Sequence, residues 1–497
     1  RPREFYDLAI EIALIRPGPI QGGAVHPYVR RKLGLEEPTY AHEKLIPVLE
    51  RTLGVPVFQE QLMQMGMAVG DLTGEDADVL RRAMGSKRGI ERIESVRQKL
   101  YDGMARNGLV GAVADDIYAK IQAFANFGFA ESHSLSFALL VYASSWLKLH
   151  YPGAFLAALL RAQPMGFYSP ATLTADARRH GVVVRRPDLH ASGVDAGLEP
   201  LDADSSGPSL AAGAPVVERA SAASESKRVP TGIPSCTDRH QPPVPPFDIA
   251  APDASAAHRR DAGHAVRLGL AAVTGVGKRL AERIVATRDA EGPFRDLRDL
   301  VRRTGATAAQ VEALATAGTF ESMGISRREG IWLAGDAAQD LPEFLPGSLV
   351  AVQPPLFGDP STYDVLAADL WATGISTDDH PLTHYRAPLD ARGVLTSREL
   401  RTHEVGRRVE VAGLVTHRQR PATASGITFI NLEDEHGLVN VICSKGVWDR
   451  YRRVLRDAPA LIARGMLERS PEGVTNLVAD AFEDLRVGVR HRSRDFR

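Results

Sequence analysis

The sequence predicts a multidomain protein that is mainly α-helical and ends in a small β-barrel. Apolar residues recur at helical spacing from residue 1 to about Val194, and again from Val266 to about Ala338. From Val405 onward the spacing changes to period two, which is typical of β-strands. The 497 residues exceed one ordinary domain, and length alone gives an expectation of about three or four domains.

Bulk composition excludes several classes of protein. The 60 Lys and Arg residues balance 61 Asp and Glu residues, so any nucleic-acid contact must come from local patches. Cys236 and Cys443 are too few for a disulfide framework or a zinc site, which fits a reducing, cytoplasmic location. The longest apolar stretch, residues 134–149, is shorter than the roughly 20 residues of a membrane helix. The start has neither an initiator Met nor a secretory signal, so we expect a sequence that begins partway through a longer protein.

Composition also divides the chain into segments. The stretch 196–264 is rich in Pro, Ser and Ala, and it cannot bury enough apolar surface to offset the entropy of ordering. We predict a helical domain over 1–195, a linker or disordered insert over 196–264, a second helical domain over 265–338, a connector over 339–403, a barrel over 404–485 and a basic tail over 486–497.

The segment GDLTGEDADVLRRAMGSKRG predicts a short helix with clear ends. Thr73 is a suitable N-cap with Asp76 as its capping-box partner, and Gly85 ends the helix. This places Arg81 and Arg82 in the last turns.

The chain from Arg81 to Lys99 has seven basic residues against two acidic ones. A local excess of positive charge on a neutral chain favours contact with a polyanion. The alternative is a solvated helix face on which Asp78 and Arg82 form an i,i+4 ion pair. Charge alone leaves both interpretations open.

The segment FGFAESHSLSFALLVYASSWLKLHYP predicts a long apolar helix. Gly128 ends the preceding helix, and Ser132 or Ser134 is a suitable cap for the next one. His133 therefore lies at a helix entrance, where it is either functional or a capping or packing residue. A stripe of large side chains on this helix is expected in the core rather than around a cofactor: Phe137, Leu140, Tyr142 and Trp146.

Five segments resemble, in order and spacing, the palm-to-fingers region of bacterial DNA polymerases of the C family, the family of the replicative polymerase III alpha subunit. They are ALIRPGPIQGG, VPVFQEQLMQMGMAVG, ADVLRRAMGSKR, FGFAESHSLSFALLVYASSWLKLHYP and AQPMGFYSP. The ESHS and QPMGFYSP versions resemble the error-prone branch, because the replicative branch usually has Lys where Glu131 stands. The resemblance implies the carboxy-terminal half of such an enzyme, with the end of the palm and the fingers over 1–195.

The resemblance implies roles for the two densest motifs. Arg81 and Arg82 would hold the triphosphate of the incoming deoxynucleotide, because guanidinium forks match phosphate geometry. His133 would stand against the sugar and leave no room for a 2′-hydroxyl. Ser132 and the amides at the helix entrance would be available to phosphate.

The same resemblance implies templated, error-prone DNA synthesis during damage-tolerant repair, with Mg²⁺ as cofactor and primer-template DNA as partner. In the family the palm aspartates that hold Mg²⁺ lie upstream of ALIRPGP, so we predict no catalytic residue and no metal ligand in this chain. Lys87 and Arg88 would follow the DNA backbone. We therefore expect the fragment to bind better than it catalyses.

The segment VRLGLAAVTGVGKRLAERIVATR predicts a helix-hairpin-helix motif that binds DNA. Gly275 and Gly277 form the turn, and Lys278 and Arg279 open the second helix. Glycines let the backbone approach a phosphate, and helix-start amides donate to it without reading bases. An apolar frame flanks the turn: Leu270, Val273, Leu280, Ile284 and Val285.

The last domain predicts five strands with a helix near 446–456 between the third and fourth, the order of an OB-fold barrel. Such barrels often bind single strands through basic and aromatic residues. Phe429 is at least as suited to the core, so we predict no contact residue here.

The connector contains QPPLF, which resembles the Gln-x-x-Leu-Phe peptides that bacterial partners insert into the sliding clamp. Leu356 and Phe357 would fill an apolar pocket while Gln353 orients the peptide. The alternative is a linker that packs on its own protein.

Two classes of function remain open from the sequence. The first is an enzyme fragment of a DNA-directed DNA polymerase, inactive alone, that works with the clamp and other translesion proteins. The second is a non-catalytic DNA-binding or adaptor module that supports a polymerase.

Overall fold

The computed structural model describes residues 2–15, 25–84, 89–123, 128–166, 168–201, 254–339, 358, 360–421, 424, 426–470, 473–488 and 494–496. The chain forms two compact units, residues 1–148 and 149–497. Among the described residues, no helix combines the length and apolarity needed to span a membrane.

The described residues of the first unit form helices joined by turns and loops, with no β-strand among them. Its helices are α1 (Phe5–Leu14), α2 (Val25–Lys32), α3 (Ile46–Leu49), α4 (Gln59–Gly70), α5 (Gly74–Met84), α6 (Gly89–Arg106), α7 (Ala112–Ala123) and α8 (Glu131–His150), whose last two residues belong to the second unit. Helices α4 to α7 share one apolar core that includes Leu62, Leu80, Leu100 and Ile117.

Helix α5 begins as the sequence predicts. The Thr73 hydroxyl accepts from the Asp76 amide at 3.3 Å, and the Asp76 carboxylate accepts from the Thr73 amide at 2.8 Å. This capping box satisfies amides that have no partner within the helix. Hydrogen bonds from Lys99 and from Thr73 lower the pKa of Asp76 to about 2.

The prediction that the large apolar side chains of α8 lie in the core is wrong. Helix α8 buries Ser134 and Ala138, whereas the four large side chains are exposed: Phe137, Leu140, Tyr142 and Trp146. The helix is apolar on nearly all sides, so the packing of one narrow face leaves the other apolar side chains outside.

The second unit starts with helices α9 (Pro152–Arg161) and α10 (Pro170–Arg179) and a small sheet of β1 (Val184–Arg185), β2 (Gly197–Pro200) and β3 (His264–Arg267). Leu156 and Ala177 share an apolar cluster with Val266 of β3. Residues 149–195 therefore belong to the second unit, although the sequence placed them with the first domain.

Strand β2 lies inside the segment predicted as linker. Leu198 pairs with Val266 in an antiparallel register. A four-residue strand with one large apolar side chain gives little local signal, so the distant partner strand defines it.

The helix-hairpin-helix domain contains α11 (Gly277–Glu291), α12 (Leu297–Thr304), α13 (Ala308–Thr316) and α14 (Arg327–Ala337). The predicted apolar frame is confirmed, since Leu270, Val273, Leu280 and Ile284 are buried in its core and Val285 packs against it.

The predicted connector is partly structured. It contains α15 (Thr362–Ala372), α16 (Arg386–Ala391) and α17 (Ser397–Leu400), and Ala372 joins the core of the helix-hairpin-helix domain. Capping boxes at Ser361 and Thr396 mark two of these helix starts in the sequence.

The last domain is a closed five-stranded barrel, as predicted. Its elements are β4 (Arg408–Gln419), β5 (Thr428–Glu433), β6 (Leu438–Cys443), α18 (Lys445–Asp457), β7 (Ala460–Arg469) and β8 (Thr475–Asp484). The strand order is β5-β6-β8-β7-β4, and the pairing of β4 with β5 closes the barrel. A further strand, β9 (Arg494–Phe496), pairs with β4, so part of the predicted tail extends the sheet.

Candidate nucleotide and nucleic-acid site

The last turn of α5 presents two adjacent arginines that share one carboxylate. Arg81 Nη2 lies 2.7 Å from Asp78 Oδ1, and Arg82 Nε lies 2.7 Å from Asp78 Oδ2. Arg92 of α6 donates to the Arg82 carbonyl at 3.2 Å. The i,i+4 pair considered in the sequence is present, yet one carboxylate faces two exposed guanidinium groups. The cluster therefore keeps an excess of positive charge that suits a phosphate.

The structure places the end of α5 beside the start of α8. The Gly128 amide donates to the Met84 carbonyl at 3.0 Å, and the Gln59 amide donates to the Phe129 carbonyl at 3.1 Å. A Cβ at Gly128 would collide with the Met84 side chain, so this close approach requires glycine. The turn that carries Arg81 and Arg82 is therefore joined, through Met84, to the segment that leads into α8.

The His133 ring is exposed and lies between two aromatic rings. Its centroid is 5.4 Å from that of Phe129 and 4.7 Å from that of Phe137, both edge-on. These contacts fix the orientation of the imidazole while leaving it accessible. Ser132, its neighbour in the first turn, is also exposed.

The prediction that Ser132 or Ser134 caps α8 is wrong. The helix begins at Glu131, whose amide donates to Glu60 Oε2 at 2.9 Å. Ser134 is buried, and its hydroxyl donates to the Ala9 carbonyl at 2.5 Å. A carboxylate from α4 thus takes the place of a local cap, and helix spacing alone does not reveal it.

Sequence reasoning missed a group of side chains that holds the start of α8. The Tyr6 hydroxyl donates to Glu131 Oε1 at 2.6 Å, and Arg51 Nη1 lies 3.4 Å from the same oxygen. The Arg51 guanidinium also lies 3.8 Å above the Tyr6 ring. Burial and the Glu131 carboxylate raise the pKa of Tyr6, so the hydroxyl stays a donor. In the sequence, Glu131 was identified only as a residue that distinguishes the error-prone branch from the replicative branch.

The hairpin of the second unit has the geometry that its glycines predict. Gly275 and Gly277 have φ of +87° and +69°, a region that favours glycine. Both glycines and the neighbouring Lys278 and Arg279 are exposed. The first amides of α11 have no acceptor within the helix, so this turn presents donors and two cations to solvent.

The outer face of the barrel carries an apolar row beside a row of amides. Phe429 pairs with Ile442, which pairs with Val478. Asn431 pairs with Asn440, which pairs with Asn476 in the adjacent row. Phe429 is 38% exposed, so it is not a core residue, because Ile430 and Leu432 alternate with it and are buried. Side chains alternate between the two faces of a strand, so the sequence already contained the information that Phe429 faces outward.

Five predicted contact residues lie outside the described residues: Lys87, Arg88, Gln353, Leu356 and Phe357. Their roles stay predictions. Within the described part of the chain, no three His, Cys, Asp or Glu side chains form a group that could hold a metal ion.

Three domain families match this chain. The finger domain of the bacterial DNA polymerase III alpha subunit matches residues 1–108, a helix-hairpin-helix motif matches 242–330, and an OB-fold nucleic acid binding domain matches 409–485. These matches and the barrel confirm the predicted fold class.

Several relatives match this chain along its whole length. The chain is 55% identical over its full length to an error-prone DNA polymerase of Cutibacterium acnes, of which it covers 42%. It is 48% identical to those of Nocardia farcinica and Mycobacterium tuberculosis, of which it covers 39% and 40%. The chain thus spans about two fifths of the length of these relatives. The chain is thus similar along its entire length to bacterial error-prone DNA polymerases, and one of its matched domains is the finger domain of the polymerase III alpha subunit.

Proposed function

We propose that this chain supplies the fingers, the helix-hairpin-helix and the OB barrel of a DNA-directed DNA polymerase. The enzyme would carry out error-prone, damage-tolerant synthesis for DNA repair in the cytoplasm. The observation that supports this proposal is the hydrogen bond from the Gly128 amide to the Met84 carbonyl, which joins the end of α5 to the segment that leads into α8. A site for a deoxynucleoside triphosphate needs cations next to the phosphates and a side chain that packs against the sugar. Arg81 and Arg82 of α5 would supply the cations, and His133 of α8 would pack against the sugar.

The arginine cluster would bind the triphosphate by exchanging the shared Asp78 contact for phosphate oxygens. Charge-assisted, bidentate hydrogen bonds favour this exchange. The ring of His133, held between two phenyl rings, would exclude a 2′-hydroxyl. Ser132 would donate from the first turn of α8, where amides are free of intrahelical acceptors.

Mg²⁺ would supply the charge that activates the primer hydroxyl and stabilises the leaving pyrophosphate. The described residues contain no cluster that fits this ion. The resemblance to the polymerase family implies palm aspartates as its ligands, and we place them in the part of the relatives that this chain does not span. The role of this chain is to bind and orient nucleotide and DNA, with the sliding clamp as a candidate partner through residues 353–357.

Primer extension tests the proposed function. We expect no extension by this chain alone, and extension with Mg²⁺ and four deoxynucleotides when the chain is part of a protein of the relatives' full length. A full-length protein that binds primer-template DNA without extending it would favour the non-catalytic adaptor instead.

The hairpin makes a prediction about duplex DNA. Gly275→Val should weaken duplex binding on the order of tenfold for any sequence, since a side chain at positive φ strains the turn and blocks the phosphate. Fluorescence anisotropy with two unrelated duplexes measures this. Gly324→Val is the matched control, because Gly324 also has positive φ in open space but lies outside the hairpin. Equal losses in both variants would contradict phosphate contact by this turn.

The barrel makes a prediction about single strands. Phe429→Ala should weaken binding of oligo-dT by about fivefold to a hundredfold, because stacking of one base on an aromatic ring contributes about 1–3 kcal/mol. The control is Val474→Ala, an exposed apolar residue before β8. Unchanged affinity in the Phe429 variant would remove this face as the binding surface.

A further inference from the structure

The second unit contains a cavity of about 250 Å³ between α10, the loop that follows α15, and the barrel. Its walls are mostly small or apolar, and they include Ala171 and Ala175 of α10 and Leu414 of β4. Three charged side chains also line it: Arg178 of α10, Asp379 of the loop after α15 and Glu433 of β5. Asp379 is already paired, because its Oδ2 lies 2.5 Å from His384 Nε2. Pockets for drug-sized ligands have volumes of about 300–1,000 Å³, so this cavity suits a smaller molecule.

Arg178 indicates that a ligand in this cavity would carry a hydrogen-bond acceptor. Its guanidinium is half-buried, and within the described residues it has no hydrogen bond or ion pair. Burial lowers its pKa, and the carboxylates of Asp378 and Asp379 oppose this from a longer distance. A half-buried guanidinium without a close acceptor leaves a planar fork of donors available.

Glu433 indicates that the same ligand would also carry a hydrogen-bond donor. The residue is 5% exposed, and its Oε1 has no hydrogen-bond partner among the described residues. Arg179 Nη1 lies 3.5 Å from this oxygen, which is an ion pair without the geometry of a hydrogen bond. Burial raises the pKa of Glu433, and interactions with Arg179 and with the Thr172 hydroxyl oppose this only in part. A buried acceptor of this kind is costly unless something donates to it.

The opposite charges in the cavity together disfavour simple ions. The Glu433 carboxyl disfavours phosphate in the cavity, and Arg178 disfavours a metal ion or ammonium. A neutral, planar molecule with adjacent donors and acceptors on its edges satisfies both side chains. Guanine has this pattern, because arginine bonds to its O6 and N7 while a carboxylate accepts from its N–H groups.

The position of the cavity indicates where such a base comes from. Glu433 follows Phe429 and Asn431 in the outward series of β5, so the cavity adjoins the outer face of the barrel. We propose that this cavity binds a guanine base that a single strand on the barrel inserts between α10 and β5. The strand as source rests on the proposed function, whereas the base chemistry rests on the cavity alone.

The test compares two oligonucleotides and one free nucleotide on the whole chain. We expect oligo-dT with one central dG to bind about tenfold tighter than oligo-dT alone. Arg178→Met and the cavity-filling Ala175→Phe should remove this preference and leave oligo-dT affinity unchanged. Arg295→Met, an exposed arginine of the same unit, is the matched control and should keep the preference. Thermal melting verifies that each variant is folded.

The outcomes separate the cavity from the proposed function. Equal affinity for the two oligonucleotides, without binding of free dGMP, overturns the inference while oligo-dT binding still supports the barrel's role. Binding of dGMP that Arg178→Met abolishes supports the base chemistry and assigns a free nucleotide as the source. Absence of oligo-dT binding contradicts the role of the barrel, and the dGMP measurement then decides on the cavity. A preference for dG that survives in a folded Arg178→Met variant overturns the inference.

Discussion

Asp369→Ala should lower the free energy of unfolding of the second unit by about 3–5 kcal/mol. Asp369 is 4% exposed, and its carboxylate accepts from Arg327 Nη2 at 2.5 Å and from Arg186 Nη2 at 3.2 Å. The ion triad joins α15 to α14 and to the residue that follows β1. Removal of Asp369 leaves the buried Arg327 guanidinium without a carboxylate, whereas Arg186 keeps only the exposed Asp378. The loss of compensation for Arg327 sets the size of the effect.

Urea denaturation followed by tryptophan fluorescence measures the change. Asp378→Ala is the matched control, because Asp378 lies 2.6 Å from the same Arg186 but is 63% exposed. We expect that control to lose less than about 1 kcal/mol, as exposed ion pairs do. If both variants lose a similar free energy of unfolding, the buried triad contributes no more to stability than the exposed ion pair does.

Replacement of Arg81 and Arg82 by alanine, each in the full-length polymerase, should lower kcat/KM for deoxynucleotides by about tenfold to a hundredfold. A hydrogen bond to a charged group contributes about 1.5–3 kcal/mol, and that energy would be lost from nucleotide binding. Primer-template affinity should stay nearly the same, because the proposed contact is to the triphosphate. Single-nucleotide insertion kinetics and anisotropy measure the two quantities.

Arg106→Ala is the control for the arginine cluster. Arg106 is an exposed arginine of the same unit, and it pairs with the single carboxylate of Asp71 at 3.0 Å. We expect its removal to leave insertion kinetics unchanged. If the Arg81 and Arg82 variants instead lose DNA affinity at constant kcat/KM, the cluster binds the DNA backbone.

Local chemistry made several parts of the protein predictable. The capping box of Thr73 and Asp76 needs only residues three apart, so it defined the start of α5. The glycines of the hairpin carry their own backbone preference. Alternation along β4 to β8 made the barrel predictable, although Phe429 was not recognised as outward-facing.

Other predictions failed because the deciding partner is distant in sequence. Glu60 replaces the expected serine cap of α8, and Val266 turns Leu198 from a linker residue into a strand residue. The helices inside the predicted connector pack on a core contributed by other segments, as Ala372 does. Patterns over a short stretch of sequence cannot reveal these contacts, because the contacting residues are far apart in the chain.

The sequence by itself determined the resemblance to error-prone DNA polymerases, the mainly helical architecture and the identity of the arginines and histidine proposed to hold the nucleotide. Only the tertiary structure decided that α5 ends beside α8, through the contact of Gly128 with Met84. It also brought Arg178 and Glu433 to one cavity from positions 255 residues apart in the sequence. Motifs record which side chains are available, whereas packing between distant segments decides which of them meet, because burial is a property of the whole fold.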